Sequence, residues 1–98
     1  MYSLEDLLQL VASDDADELR LHVGSPPVTV SNGQHQTIQG PALTAEDTEA
    51  IWHSVADTRQ RRELWEQGAV QFIYRFRGAT DFVVSATIEN QNIGIVLH

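Results

Sequence analysis

The side chains of this 98-residue chain best suited to acid–base or metal chemistry are its histidines, which are His22, His35, His53 and His98. His22 and His35 fall on neighbouring predicted strands, where their rings could meet. Two imidazoles without a third ligand seldom form a metal site, and the chain has no cysteine to complete one. The serines lie in no nucleophile motif, and no pairing of a nucleophile with a base is visible. We therefore expect no catalytic residue and no metal site, and interpret the histidines as structural.

The charge balance limits the classes of partner. Fourteen acidic residues stand against six arginines, and the formal net charge is -8. A surface of this sign repels phosphate backbones, which argues against nucleic acid as a partner. Lysine is absent, so the chain has neither a P-loop nor a Schiff-base lysine. No glycine-rich loop opens a helix to hold phosphate, and no cofactor is expected.

The sequence also restricts the compartment. No apolar run approaches the roughly 18 residues that span a bilayer, and the first residues lack the basic segment of a signal peptide. The absence of cysteine excludes a disulfide framework. These features predict no membrane insertion and fit a cytoplasmic protein.

Cationic side chains are concentrated on one predicted helix. Arg59, Arg61 and Arg62 form the only basic cluster of the sequence. The cluster is either an ordinary exposed helix face or a docking patch for an acidic partner. With charged residues on two late strands it makes up the candidate interaction surface, whose members are Arg59, Arg61, Arg62, Arg75, Arg77 and Asp81.

The segment from Ala16 to Val28 carries the most specific local pattern. Apolar and polar residues alternate over 18–23, which predicts a half-buried strand. The strand must end at the following Gly-Ser-Pro-Pro, because both prolines lack a backbone donor and the glycine accepts a positive φ. A short strand and an Asn-Gly pair follow, and this pair is typical of a type I′ hairpin. The residues that define these turns are Gly24, Pro26, Pro27, Asn32 and Gly33.

Two of the three predicted helices start from simple signals. Apolar residues three and four positions apart predict a helix over about 4–12. A second helix begins after Thr44, a suitable N-cap, and runs to about residue 56 with Trp52 on its buried side.

The third predicted helix covers 58–67 and carries the basic cluster. Asp57 and Gln60 have the spacing of a capping box, and Gly68 is placed to end the helix. Leu64 and Trp65 are its expected apolar anchors. Trp52 and Trp65 are interpreted as core or groove-filling residues, since nothing indicates a stacking platform for bases.

The last third of the chain alternates as strands do, and gives three strands over about 70–97. The element order α-β-β-β-α-α-β-β-β predicts an α+β fold in a single domain, 1–98. Short connections favour a largely antiparallel sheet of about six strands with helices packed on one face. The final strand, Ile93–Leu97, is apolar on both faces, so at a sheet edge it would need cover from a partner or a second copy.

The whole chain resembles the N-terminal domain of the type IV pilus retraction ATPases and their type II secretion relatives. The resemblance begins with an amphipathic first helix and continues through Gly-x-Pro-Pro and a hairpin tip. It then includes a helix opening, Asp-x-x-Gln-Arg, and a late strand of the pattern Gly-x-x-x-Phe. The segments that carry it are residues 3–8, 16–27, 29–33, 57–61 and 78–86.

This resemblance implies a PAS-like domain that normally precedes a RecA-like motor domain and packs against it in a hexamer. It also implies that two arginines on a late strand help to close the nucleotide site of the motor domain. Here those positions hold Asp81 and Val83, and Arg20 stands where the family usually has histidine. An acid in place of a cation would repel the phosphates of a nucleotide. Arg75 and Arg77 could substitute, although they lie on the preceding strand.

The expected function is therefore a non-catalytic interaction or assembly module of a pilus or secretion motor system. Its expected partner is a motor ATPase or a related component, and self-association into a homo-oligomer is a further expectation. One alternative is the excised N-terminal domain of a genuine pilus retraction ATPase. Another is a PAS-like small-ligand sensor, which predicts a closed apolar pocket between the sheet and the helices that carry Trp52 and Trp65.

Overall fold

The computed structural model describes residues 2–13, 16–76, 78 and 80–98. The order of elements is that predicted from the sequence. The helices are α1 (Leu4–Ser13), α2 (Ala45–Val55) and α3 (Thr58–Gln67). The strands are β1 (Glu18–Leu21), β2 (Val28–Ser31), β3 (Gln34–Thr37), β4 (Ala69–Phe76), β5 (Thr80–Glu89) and β6 (Asn92–Leu97). The first strand ends two residues before the predicted Val23, so the turn toward Pro26 begins earlier.

All strands join one six-stranded sheet in the order β3-β2-β1-β6-β5-β4. Every neighbouring pair is antiparallel, which confirms the predicted α+β class. The last strand does not lie at a sheet edge, because β6 lies between β1 and β5, so the condition under which it would need cover is not met. Its neighbours pair the backbone groups on both sides of β6, so this strand offers no edge to a further strand.

The helices cover one face of the sheet, which we call the inner face. Leu19 of β1, Val84 of β5 and Leu97 of β6 are each 0% exposed and lie on this face. Three residues of α1 and three of α2 pack into the core together with Leu64 of α3, and those of α1 and α2 are Leu7, Leu8, Val11, Ile51, Trp52 and Val55. Burying apolar side chains between one sheet and one helical layer is what stabilises a domain of this size. The opposite, outer face lies toward solvent.

Local signals place the second and third helices as predicted. The Thr44 side chain accepts a hydrogen bond from the Asp47 N–H at 3.1 Å, and the Asp47 carboxylate accepts one from the Thr44 N–H at 2.9 Å. Asp57 and Gln60 make the same reciprocal pair at 2.8 and 2.9 Å. Such capping boxes satisfy amide donors that a helix start leaves free. Gly68 then closes α3 with a φ of 80°, a left-handed conformation that favours glycine.

The predicted hairpin between β2 and β3 is also present. Asn32 and Gly33 have φ values of 52° and 78°, as a type I′ turn requires. The β5–β6 connection uses the same device, since Asn90 and Gln91 have φ values of 50° and 70°.

The two tryptophans have opposite environments. Trp52 is 1% exposed and packs on Phe72, with ring centroids 5.8 Å apart. The interpretation of Trp65 as a core anchor is wrong, because its side chain is 56% exposed. Leu64, which is 0% exposed, is the residue that docks α3 into the core. The two residues are adjacent in sequence, and adjacent positions on a helix face about 100° apart.

Candidate interaction surface

The charged residues predicted on the late strands meet on the outer face. Arg75 of β4 and Asp81 of β5 are direct partners in the β4–β5 register. The Arg75 Nε donates to Asp81 Oδ1 at 2.8 Å and its Nη2 donates to Oδ2 at 3.4 Å. The two side chains are 65% and 49% exposed. The pairing is therefore a two-pronged ion pair at the surface, close to the β4–β5 turn.

This ion pair shifts both titrations in the direction of the charged forms. The hydrogen bond from Arg75 lowers the pKa of Asp81, while slight desolvation opposes this and the nearby positive charge adds to it. The hydrogen bond to Asp81 raises the pKa of Arg75. Asp81 is consequently ionised at neutral pH, and Arg75 is engaged with an internal carboxylate.

Two more pairs of side chains are in contact elsewhere among the described residues. Arg20 donates to Glu18 on the same strand. His22 Nδ1 lies 2.8 Å from Glu89 Oε1, beside Gly94, where a Cβ would collide with the Glu89 carboxylate. His22 does not meet His35, as had seemed possible from the sequence. β2 separates β1 from β3, and His35 faces Val30 in the β2–β3 register.

The basic cluster lies on the solvent side of α3. Arg59 and Arg62 are exposed and line one shallow groove with Glu63, Glu66 and Gln67. Arg61 is half-buried, and its Nε donates to the Ala56 carbonyl at 3.2 Å. Arg61 thus helps to hold the α2–α3 connection, while the other two arginines present their charge to solvent. The alternating acids make this groove mixed in charge, so it is not a simple anion site.

The structure brings some candidate residues together and leaves others apart. Arg75 and Asp81 form a pair, and the α3 cluster shares no hydrogen bond or ion pair with them within the described chain. Arg77 lies outside the described residues. The turn residues are where the sequence placed them, with Pro26 and Pro27 between β1 and β2, and Gly24 at a φ of 93° before them.

Sequence reasoning missed an apolar strip on the outer face. Ile73 is 68% exposed and lies opposite Val83 in the β4–β5 register. On its other side, Val83 exchanges two backbone hydrogen bonds with His98, of 2.6 and 3.0 Å. Val83 itself is half-buried. The available signal was an apolar residue at a position where the alternation calls for a polar one. Ile73 and Val83 both break the pattern in this way.

The space between sheet and helices is filled by side chains. Trp52 occupies the position where a sensor pocket was expected, and its Nε1 has no hydrogen-bond partner within the described chain. A surface depression of about 390 Å³ lies at the side of the sheet, and is lined by Ser3, Leu4, Glu5, Ser54, Tyr74 and Phe76. In the described chain, no helix has the length and apolar character that crossing a membrane requires.

Two curated proteins of Pseudomonas aeruginosa match almost the whole chain. The type IV pilus retraction ATPase PilT is 27% identical over 93 residues, which are 95% of this chain and 27% of PilT. The type IV pilus ATPase PilU is 30% identical over 93 residues, which are 95% of this chain and 24% of PilU. The matched segment is the N-terminal part of these relatives. This chain is homologous to the N-terminal domain of the pilus ATPases.

Solved structures show the same fold for this pilus ATPase N-terminal domain homologue. The pilus retraction motor PilT with bound ADP superposes with a TM-score of 0.91 at 24% identity, covering 100% of this chain and 29% of that structure. The ATPase DotB of Legionella pneumophila superposes with a TM-score of 0.82 at 19% identity, covering 97% of this chain and 27% of DotB. No protein-family model matches the sequence. The homologue spans about a quarter of the length of the curated relatives it matches.

Proposed function

We propose that this chain is a non-catalytic protein–protein interaction module of a pilus or secretion motor system, derived from a domain that once served a nucleotide site. The observation that carries the proposal is the ion pair of Arg75 with Asp81. It lies at one of the two positions where the resembling family has arginines on a late strand, and the other position holds Val83.

The electrostatics of this position argue against a role with triphosphate. A phosphate approaching β5 meets the ionised Asp81 carboxylate, and the cation paired with that carboxylate, Arg75, already donates two hydrogen bonds to it. Val83 offers neither charge nor donor. Binding a nucleotide here would require Arg75 to leave its partner and the acid to accept a like charge, and both cost free energy.

The proposed partner is a motor ATPase of the pilus or secretion type. PilT is described as a pilus retraction motor, and its match to this chain covers 95% of the chain and 27% of PilT. Exposed Arg59 and Arg62 on α3 and exposed Ile73 on the outer face offer both charged and apolar contacts to a protein surface. These residues lie on two separate faces, the helical side and the outer face of the sheet, and either face can contact a protein, whereas an enclosed pocket would suit a small ligand.

A nucleotide titration and a protein-binding experiment test the proposal. Isothermal titration calorimetry of the chain with ATP and ADP should give no heat of binding, whereas immobilised chain should retain a pilus motor ATPase such as PilT or PilU. The double substitution Asp81→Arg with Val83→Arg restores the family pattern, and it should create measurable affinity for nucleotide. A conservative Asp81→Asn variant controls for the loss of charge alone.

The outcomes separate the two halves of the proposal. Tight ATP binding by the native chain, unchanged in Asp81→Asn, would refute the loss of the nucleotide role. Failure to retain any pilus or secretion motor ATPase, at a protein concentration where the chain remains folded, would refute the proposed partner.

A further inference from the structure

The sheet ends on one side with β4, and this strand is unusually long and apolar for an edge. β4 contains eight residues, from Ala69 to Phe76, and is the last strand in the sheet order. Edge strands are normally kept short or charged, because their unpaired backbone groups can bind another strand. A long edge strand with apolar side chains therefore requires an explanation.

The unpaired backbone groups of β4 can be assigned from its pairing with β5. The Ile88 N–H donates to the Gly68 carbonyl at 3.1 Å, so Gly68 and every second residue after it face β5. The N–H and C=O groups that face away from the sheet belong to the intervening residues, which are Ala69, Gln71, Ile73 and Arg75. These residues present an ordered row of donors and acceptors at the edge.

The side chains of the same strand are only partly covered. On the inner face Val70, Phe72, Tyr74 and Phe76 are all half-buried. The β5 partners of the first three, Ala86, Val84 and Phe82, are buried, and the partner of Phe76, Thr80, is exposed. On the outer face Ile73 is 68% exposed. Apolar surface thus remains open on both sides of the strand, so a further strand beside β4 would remove it from water.

We propose that β4 pairs antiparallel with β4 of a second copy of this chain, about a twofold axis at Ile73. The two six-stranded sheets would then continue into one another across the new pair. This inference goes beyond the proposed function, since it concerns the unpaired backbone edge of β4 and holds whether or not a motor ATPase binds.

Self-complementarity is the reason for choosing a second copy. In a register centred on Ile73, each Ile73 lies opposite its copy, each Phe72 lies opposite a Tyr74, and each Val70 lies opposite a Phe76. All three pairings are apolar on apolar, and cross-strand pairs of this kind stabilise antiparallel sheets. Arg75 lies opposite the neutral Gln71, so the twofold axis brings no like charges together.

Other registers fit less well. A shift by two residues places Ile73 opposite Arg75 in one direction and opposite Gln71 in the other, so the pairing of Ile73 with its copy is lost. A shift by one residue sets inner-face side chains against outer-face ones. The strand carries a single charge, which is paired with Asp81. The net charge of -8 on each copy opposes association at long range, and salt screens it over about 10 Å at 0.1 M. Association through β4 should therefore strengthen when salt is added.

Single cysteines test the register directly, because the native chain has none. In Ile73→Cys the two introduced residues would be a hydrogen-bonded pair with Cα atoms about 5.5 Å apart, within the range a disulfide spans. In the matched control Gln71→Cys the same atoms would be about 13 Å apart, because the residue opposite position 71 is 75. Both positions lie on the outer face of the same strand.

Under mild oxidation, Ile73→Cys should form a covalent dimer quickly, and Gln71→Cys should not. Equal rates of crosslinking for the two variants would refute the register. Circular dichroism of both reduced variants checks that the fold is retained.

Sedimentation equilibrium of the cysteine-free chain tests the association itself. The native chain should self-associate more strongly at high salt, and Ile73→Lys should weaken this by about tenfold or more, because it places a lysine on each copy at the axis. Thr37→Lys adds the same charge to the outer face of the other edge strand and should leave association unchanged. A native chain that stays monomeric at all concentrations and salts, or an Ile73→Lys variant that associates as the native chain does, would refute the proposal.

Discussion

The two edges of the sheet differ in length and in pattern. β3 has four residues, all polar and all exposed, whereas β4 has eight residues that alternate between exposed and half-buried positions. A short polar strand can end a sheet in water, since it leaves little apolar surface and few backbone groups unpaired. The long strand leaves more apolar surface exposed and more backbone groups unpaired. The comparison indicates that one edge is built to terminate the sheet and the other to meet another surface.

The same contrast appears in what each edge contributes to the core. Phe72 of β4 packs on the buried Trp52, with ring centroids 5.8 Å apart. Gln36, which lies on the inner face of β3 opposite Thr29, remains exposed. β4 is thus part of the folding core as well as an edge, while β3 extends the sheet beyond the helices.

The largest effect that separates the edges should come from inner-face truncation. Phe72→Ala should lower the free energy of unfolding by about 2–3 kcal/mol, because it removes a partly buried ring and leaves space beside Trp52. Gln36→Ala, at the matched inner-face position of β3, should change it by less than about 0.5 kcal/mol. Urea unfolding followed by circular dichroism measures both. Similar losses for the two variants would contradict the difference in core contribution.

The turns that lead into the two edges should respond differently to the same substitution. Gly33 and Gly78 have φ values of 78° and 67°, and a Cβ at either would meet no atom within 4 Å. Alanine at either position should therefore cost about 1 kcal/mol through backbone strain alone.

The consequence of that strain should depend on strand length. Gly33→Ala should open β3, which has four paired residues, while Gly78→Ala should leave the eight-residue pairing of β4 in place. Amide hydrogen exchange resolves the two regions. Faster exchange throughout β4 in Gly78→Ala would show that its length does not protect it.

Exchanging an apolar for a polar outer-face side chain on β4, and the reverse on β3, should change self-association but not the free energy of unfolding. Ile73→Thr makes β4 resemble β3, and Thr37→Val makes β3 resemble β4. Both side chains are exposed, so each variant should keep its unfolding free energy within about 0.5 kcal/mol. Sedimentation should show weaker self-association for Ile73→Thr and no gain for Thr37→Val, because a four-residue edge offers too few pairs. A gain for Thr37→Val would mean that apolar character alone is sufficient.

The smallest effect concerns pH and the ion pair on the β4 side. Because Arg75 lowers the pKa of Asp81 in the folded chain, the pair contributes stability above the ordinary titration range of aspartate. This contribution is lost as the pH falls through the lowered pKa. Asp81→Asn should therefore slightly flatten the acidic part of the curve of unfolding free energy against pH. A curve for Asp81→Asn that coincides with the native one would show that the exposed pair contributes nothing.

Much of the fold could be predicted because its signals are local. The capping boxes at Thr44 and Asp57, and the turn at Asn32-Gly33, depend on residues within four positions of one another, and the structure contains all three. The homology to the pilus ATPase N-terminal domain was likewise readable from short motifs in their order. The candidate interaction surface remains a prediction, although the structure does pair Arg75 with Asp81.

The sequence by itself determined the element order, the caps, the turns and the alternation of each strand, because these follow from backbone geometry over a few residues. Only the tertiary structure decided that β6 lies in the centre, that β4 is an edge, and that Trp65 faces solvent while Leu64 is buried. Strand order depends on which distant segments pair, and an apolar strand has the same pattern whether its neighbour is this chain or another. The exposure of β4 is therefore a property of the assembled sheet and could not be read from its residues.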